Sequence, residues 1–299
     1  MSKKIAAGCA LLLGLTLTAC SSQPNSQPDT AAPLSAVEPQ RESNTQNVSE
    51  PGPGTQPVEP ADRVGDEVVV ERWIPFEEPR ALGVLKQPED LEAFRDAFRT
   101  ADRLSGELEV SSPDYRVRFP LDGEVKELYA WIDYENGPGM LMETSDMSTG
   151  YTVNAESNRA LREKIGGIVY DSEQAEQNGD IVSSLRGTVA NLDTWQDFVQ
   201  HIETGQPDSV QRVGYTIEGD PIFDNLNYDG KEIRYVHDNS LDAYGRPDKQ
   251  IDTCERIAVE PLPQKRGGPG KLYRLDGCAS TGGGQSEYFW FPVPDSALK

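Results

Sequence analysis

The sequence predicts an α+β protein of two small domains, each an antiparallel sheet with packed helices, preceded by an export signal and a disordered tether. Three observations predict it. Short runs in which apolar and polar residues alternate recur beyond residue 65, bounded by Gly, Pro, Asn and Asp clusters, as half-buried strands and hairpins require. Fewer, longer runs repeat apolar residues at three- and four-residue steps, the helical period. In the first half the order is strand, helix, several strands, helix, which is an α+β order. About 279 residues would follow a cleaved signal and roughly 235 of them would fold, enough for two domains of ordinary size. The divisions are 1–19 signal, 20–64 linker, 65–167 first domain and 168–299 second domain.

Met1, Ser2, Lys3 and Lys4 form a basic lead, and Ile5 to Leu15 is a nearly unbroken apolar run. The segment closes on Leu17-Thr18-Ala19-Cys20. Basic, apolar and small-residue regions in that order make a secretory signal, and the run is shorter than the roughly 20 residues of a membrane span. The ending resembles the bacterial lipobox, which implies that Cys20 becomes the lipidated first residue of a mature protein on the extracytoplasmic face of the cell membrane. An ordinary secretory signal with an incidental Cys20 is the alternative. Residues 21 to about 64 are mostly Ser, Gln, Asn, Pro, Glu and Thr, too poor in apolar area to offset the cost of ordering. Such a tether could hold the folded part tens of ångströms from the bilayer.

The chain has 28 Lys+Arg against 50 Asp+Glu, a net charge of -22, and loss of Lys3 and Lys4 would leave it two units more negative. That surface repels nucleic-acid phosphates, and no basic block reverses it locally. Nucleic acid is excluded as a partner, whereas cations and cationic partners are attracted. Of the four cysteines, Cys9 would leave with the signal and Cys20 would carry lipid, so Cys254 and Cys278 are expected to pair in an oxidising compartment. A metal pair or redox couple is the alternative. No Cys-x-x-Cys supports it, and only His201 and His237 could complete a soft-ligand set.

In the first domain, Val68 to Val70 with Trp73 and Ile74 reads as a strand interrupted by Pro75 and Pro79, and Ala81 to Leu85 as a second. Pro88-Glu89-Asp90 opens a helix carrying Leu91, Phe94, Ala97 and Phe98 on one face, with acids at its positive end. Tyr115, Val117 and Phe119 alternate with Arg116 and Arg118, and Leu128, Ala130 and Ile132 alternate with Tyr129, Trp131 and Asp133. Asn136-Gly137-Pro138-Gly139 is a turn returning through Met140 to Glu143, and Tyr151 to Val153 adds a strand. Asn154 is placed to cap a helix through Ala160, Leu161 and Ile165 that Gly166-Gly167 stops. Ser112-Pro113-Asp114-Tyr115, the Tyr129-Ala130-Trp131-Ile132 strand and Tyr151-Thr152-Val153 before a helix resemble the YhfM-like domain of Gram-positive lipoproteins. The resemblance covers about 67 to 165 and implies a location but no reaction.

In the second domain, residues 168 to 186 show weak periodicity and read as a connector. Asn191 is expected to cap a helix striped by Leu192, Trp195, Phe198, Val199 and Ile202 and ended by Gly205, with His201 at its rim. Val210, Val213, Tyr215 and Ile217 approximate a strand, Tyr228 to Lys231 a hairpin turn, and Ile233, Tyr235 and His237 its return. Gln250 to Val259 reads as one strand with Lys271 to Leu275 as partner. Tyr288 to Pro294 is the most aromatic stretch, either an edge strand sealing a core or an exposed patch. The segment Tyr215 to Ile222, Asn191-Leu192, Leu226 with Tyr228-Asp229-Gly230, and Asp238 and Asp242 around Leu241 resemble number 4362 among the domains of unknown function, over about 180 to 280. Gln264 to Gly270 departs from that pattern as an insert. The resemblance implies a compact extracytoplasmic domain and supplies no catalytic residues.

Glu218 and Asp220 are two apart, and Gly219 permits a bend that would converge them. Paired carboxylates serve acid/base chemistry when their environments split their pKa values, and they also take calcium. A turn with acidic caps is the plainer reading. If the protein is an enzyme, Glu218, Asp220, His237 and Asp238 are the candidate catalytic group; if it binds a cation or other ligand, Glu218, Asp220, Asp238 and Asp242 are. No nucleophile elbow, phosphate loop or zinc-hydrolase helix occurs, and no cofactor or metal is expected. The leading expectation is a non-catalytic, surface-anchored accessory or binding lipoprotein of the bacterial envelope, meeting an envelope protein or polymer. A carboxylate-based hydrolase and a cation-sensing module are the alternatives.

Overall fold

The computed structural model describes residues 65–104, 108–184, 188–263 and 269–298. They lie in one compact unit, Val58–Lys299. The signal, Cys20, the tether and most of the 264–270 insert fall outside the described residues.

The first half is a seven-stranded antiparallel sheet with two helices. Its strands are β1 (Val68–Arg72), β2 (Arg80–Leu85), β3 (Asp102–Arg103), β4 (Tyr115–Leu121), β5 (Glu124–Trp131), β6 (Gly139–Glu143) and β7 (Gly150–Val153), in the order β2-β1-β4-β5-β6-β7-β3. In β4, Tyr115, Val117, Phe119 and Leu121 are buried, while Arg116 faces outward onto Glu71 at 2.6 Å. Leu121 pairs with Glu124 across Asp122-Gly123, both at positive φ (52 and 87), the conformation a two-residue hairpin turn needs. Helix α1 (Pro88–Arg99) buries Leu91, Phe94 and Ala97, and Phe94 packs 5.8 Å from Phe119. Helix α2 (Ala155–Gly166) is capped by Asn154, whose side chain accepts from Ser157 N at 2.9 Å. Fully buried Asn158 on α2 holds the 133–137 turn through the Asp133 and Gly137 carbonyls, and Lys164 joins α2 to Asp90 of α1 at 2.7 Å.

The connector expected at 168–186 is instead structured. Tyr170, Ala175 and Asp180 are buried, helix α3 (Ser172–Gln177) is capped by Asp171, and β8 (Ile181–Ser183) enters the second sheet parallel to its neighbour. Its short elements alternate too briefly for periodicity to register. The six-stranded sheet contains β8, β9 (Val189–Ala190), β10 (Asp208–Tyr215), β11 (Pro221–Tyr228), β12 (Ile233–Asp238) and β13 (Lys249–Cys254), ordered β13-β12-β11-β10-β8-β9. Helix α4 (Leu192–Thr204) buries Leu192, Trp195 and Phe198 and ends on Gly205 at φ 71. Asn191 precedes it without capping it. Its backbone is left-handed (φ 52), and its side chain donates to the Glu176 and Asp180 carbonyls, tying α4 to the α3–β8 turn.

Gln250 to Val259 is two strands, not one. The chain breaks at Glu255, so β13 stays in the six-stranded sheet while β14 (Arg256–Pro261) joins β15 (Gly270–Asp276) and β16 (Trp290–Pro294) in a separate three-stranded sheet. Ile217 lies beyond β10 and is exposed. In the aromatic tail, Phe289, Phe291 and Val293 are fully buried while Tyr288 and Trp290 are 41% and 43% exposed, so the stretch both seals a core and shows an aromatic edge.

The six-stranded sheet is covered on both faces. On one, Val213 and Phe223 join the core of the first half together with Tyr170, Ala175 and Leu241. On the other, Val210, Leu226, Ile233 and Tyr235 pack with Trp195, Tyr273, Phe289 and Phe291. Trp195 meets Tyr273 at 5.2 Å and Phe291 at 5.1 Å, both edge to face. The Cys254–Cys278 disulfide joins the end of β13 to the residue two past β15, clamping the two second-half sheets together. Closing 24 residues of separation corresponds to about 3–4 kcal/mol on the loop-entropy account. Reduction, or a Cys254→Ser/Cys278→Ser double variant, should therefore lower the urea midpoint, and reductant should leave the double variant's midpoint unchanged.

Candidate functional site

The segment 239–248 between β12 and β13 folds on its own side chains. Asp242 Oδ1 accepts from the Tyr244 and Gly245 amides at 3.0 and 2.8 Å, Asp238 Oδ1 accepts from Ser240 N at 3.0 Å, and Asn239 N donates to the Asp248 carbonyl at 3.1 Å. This loop faces α2 and the β5–β6 turn, and a cavity of about 550 Å³ lies between. Tyr115, Ile132, Tyr134, Arg162 and Ile165 line it from the first half, and Ser240, Leu241, Asp242 and Pro247 from the second. Its size is that of small-molecule sites, and its mixture of apolar walls with a few polar groups is typical of them.

Three hydroxyls meet at one end, with Tyr115 Oη 3.2 Å from Tyr134 Oη and 3.3 Å from Ser240 Oγ. Burial pushes both phenols well above the usual tyrosine range, Tyr115 further through the nearby Asp238 charge and Tyr134 through its neighbour Tyr115 and through Asp114. They are neutral hydrogen-bonding groups, suited to holding a ligand rather than to removing a proton. Arg162 donates to the Tyr134 carbonyl at 2.7 Å and to Asn136 Oδ1 at 3.4 Å.

Next to the cavity the two halves are joined by buried charge. Arg72, 2% exposed, donates to Asp238 Oδ2 at 2.8 Å and to Gln211 Oε1 at 2.9 Å, with its guanidinium 3.6 Å over the Phe223 ring. Burial alone would raise the Asp238 carboxyl, but Arg72 and Lys249 overcome it and bring it down to about 2. Lys249 also lies 3.7 Å from Asp114. Burial dominates at both of these groups, lowering the lysine and raising the aspartate, with their mutual attraction opposing it. Asp180 and Glu77 are likewise raised by burial, and Arg80 opposes it at each.

The residues singled out from sequence do not converge. His237 and Asp238 are consecutive on β12 and point to opposite faces. Asp238 meets Arg72, while His237 Nδ1 lies 3.0 Å from Asp224 Oδ1 in the other core, a carboxylate that also accepts from Tyr235 and Arg212. Glu218 is exposed at the tip of the β10–β11 hairpin, held by Gly219 at φ 102 and by a Thr216 N to Asp220 carbonyl bond of 2.9 Å. Asp220 Oδ2 accepts from Ala243 N at 3.0 Å, so of the four proposed catalytic residues it and Asp238, through Ser240 N, reach the 239–248 loop, at different points. Asp242 does line the cavity. His201 sits at the rim of α4, 2.8 Å from Asp208. Tyr115, Tyr134, Arg162 and Arg72 were not singled out, although Arg72 breaks an apolar phase set by Val68 and Val70 on the same strand face.

Residues 75–169 match the family model described as YhfM protein, and residues 178–266 the one described as Domain of unknown function (DUF4362). The chain carries a YhfM domain followed by a DUF4362 domain. Arg72 lies ahead of the YhfM match, and β15 and β16, which close the second core, lie beyond the DUF4362 match. A crystal structure of a thioesterase-like protein from Clostridium sporogenes aligns over 33% of this chain and 92% of its own, at 14% identity and a TM-score of 0.27, a likeness too slight to carry an argument. No curated protein matches.

The junction of the two domains should set the acid limb of stability. A carboxyl held at about 2 contributes about 2 kcal/mol that is present above its unfolded value near 4 and lost as pH falls through 2. Asp114, Asp180 and Glu77, shifted upward, act oppositely, so stability should rise as pH falls from neutrality toward 4 and then drop. Asp238→Asn, which strands Arg72, should cost about 3–5 kcal/mol at pH 7 and flatten the drop below pH 4. Urea titrations of both proteins at pH 7, 4.5 and 3 would check each part.

Proposed function

We propose that this protein is a lipid-anchored accessory binding protein of the bacterial envelope, held on the extracytoplasmic face of the cell membrane through Cys20, that takes a small ligand in the cavity between its YhfM and DUF4362 domains. The observation that carries the ligand reading is the cavity itself, walled by both domains and furnished with neutral hydroxyls, an arginine and apolar side chains. The anchoring rests on the basic lead, the apolar run and Leu17-Thr18-Ala19-Cys20. An acyl chain with a disulfide-bonded body fits one compartment, since such a bond persists where thiols are not kept reduced. The acidic surface favours neutral, cationic or dipolar partners over polyanions.

The full-length chain should fractionate with membranes, and Cys20→Ser should leave an unprocessed or released product. Equal partitioning of the two, with precursor processing also unchanged, would remove the anchor. Native mass spectrometry of protein purified from its own cells should find a small bound mass that is lost in Ile165→Trp, which fills the cavity. A bound mass retained in that variant would remove the site.

A further inference from the structure

We infer that the cavity between the two domains selects a small zwitterion of the amino-acid or short-peptide type, its carboxylate against Arg162 and its ammonium against Asp242 and the hydroxyl group of Tyr115, Tyr134 and Ser240. The inference rests on the reading of that cavity as a ligand site and adds the ligand's chemistry to it. Arg162 is a permanent cation that makes no ion pair among the described residues. Its two hydrogen bonds, to the Tyr134 carbonyl and Asn136, hold the guanidinium in place and use two of its five N–H groups. Glu163, which also lines the cavity, is paired with Arg159 at 3.4 Å and makes no ion pair with Arg162. A guanidinium fixed in this way, with donors to spare, suits a carboxylate.

Asp242 comes from the other domain and also lacks an ion pair among the described residues. Its Oδ1 is occupied by the Tyr244 and Gly245 amides, which fix the carboxylate, and Oδ2 accepts no hydrogen bond among the described residues. The hydroxyl trio adds acceptors. Three hydroxyls bring three donors and six lone pairs, and their two mutual contacts use two of each, so more acceptors than donors face the ligand. One cavity therefore presents an unpaired cation on the YhfM wall, an unpaired carboxylate on the DUF4362 wall and an acceptor-rich hydroxyl trio drawn from both. Ile132, Ile165 and Leu241 line the space between for an apolar body. A ligand bearing only one charge would leave the other protein charge without a partner, which is what makes the pair selective.

The test uses the full-length protein, titrated calorimetrically with phenylalanine, phenethylamine and 3-phenylpropanoate, which share one apolar body and differ in charge. Phenylalanine should bind at least tenfold more tightly than either analogue. Arg162→Gln should weaken phenylalanine at least tenfold and leave phenethylamine unchanged, whereas Asp242→Asn, which keeps the Oδ1 acceptor of the turn, should weaken phenylalanine and leave 3-phenylpropanoate unchanged. An analogue that binds as tightly as phenylalanine and loses affinity in Ile165→Trp would overturn the zwitterion and leave the cavity standing. Phenylalanine binding that survives Ile165→Trp would overturn both. No heat from any of the three probes would overturn the zwitterion alone, because the bound mass recovered from cells tests the cavity separately.

Discussion

Burying the Arg72 guanidinium is the constraint on which the rest of the structure depends. Taking a charged group out of water is tolerable only if it is paired and hydrogen-bonded. Every partner that satisfies Arg72 is on the other domain: Asp238 on β12, Gln211 on β10 and Asn225 on β11, with the Phe223 ring beneath. The arginine sits at the end of β1, where Val68 and Val70 occupy the same buried face. A YhfM domain folded alone would expose that face at its polar end. The docking of the DUF4362 domain satisfies it, which is why the two matched segments share one core instead of behaving as beads on a linker.

The same logic explains the composition of the six-stranded sheet. A sheet with one wet face reads as clean alternation, but this one is covered on both sides, and its central β11 is buried nearly throughout. Pro221-Ile-Phe-Asp-Asn-Leu-Asn-Tyr228 carries polar residues on each face. Asn225 serves the Arg72 cluster, and Asp224, fully buried on the opposite face, accepts from Arg212, Tyr235 and His237. Burial would raise Asp224, and Arg212 with His237 more than offsets it, so the carboxyl is held below the usual range. Arg212 also lies 5.5 and 5.4 Å from the Phe289 and Phe291 rings of the tail. Each face of the sheet is thus fastened to its neighbour by one arginine, one aspartate and aromatic rings.

Local chemistry made much of the fold legible in the sequence. Pro88 with two acids, Asn154 before Ala155, and Tyr228-Asp229-Gly230-Lys231 each state their conformation within a few residues, and helices and turns stand there. What stayed hidden depended on distant partners. The α3–β8 segment is short, and its identity comes from the burial of Tyr170 and Ile181 against other elements. Gln250 to Val259 carries no Gly or Pro to mark a boundary, and only the sheet each half pairs with reveals the break at Glu255. Asn191 looks like a cap because of its residue type, yet its amide is taken by carbonyls 15 and 11 residues away. The cavity was illegible for the same reason, since Tyr115, Arg162 and Ser240 come from three elements with no common motif. The acidic Glu218-Gly-Asp220 run, conspicuous in sequence, is a hairpin tip whose glycine is required by its positive φ.

A polar junction also explains why there is a cavity between the domains at all. Two apolar faces gain by closing until no space larger than a water remains. Here hydroxyls, an arginine and a self-capped acidic loop stand among the apolar side chains, and their hydrogen bonds fix them at set distances and stop further collapse. Glycines widen the gap: Gly166 and Gly167 end α2 without side chains, and a Cβ at Gly245 would stand 2.3 Å from Asp242 Oδ2. The charges that hold the domains together, Arg72 to Asp238 and Lys249 to Asp114, lie immediately behind the Tyr115 wall. A ligand bridging Arg162 and Asp242 would extend that line of interdomain pairs by one more, and its binding would be coupled to the docking of the two domains.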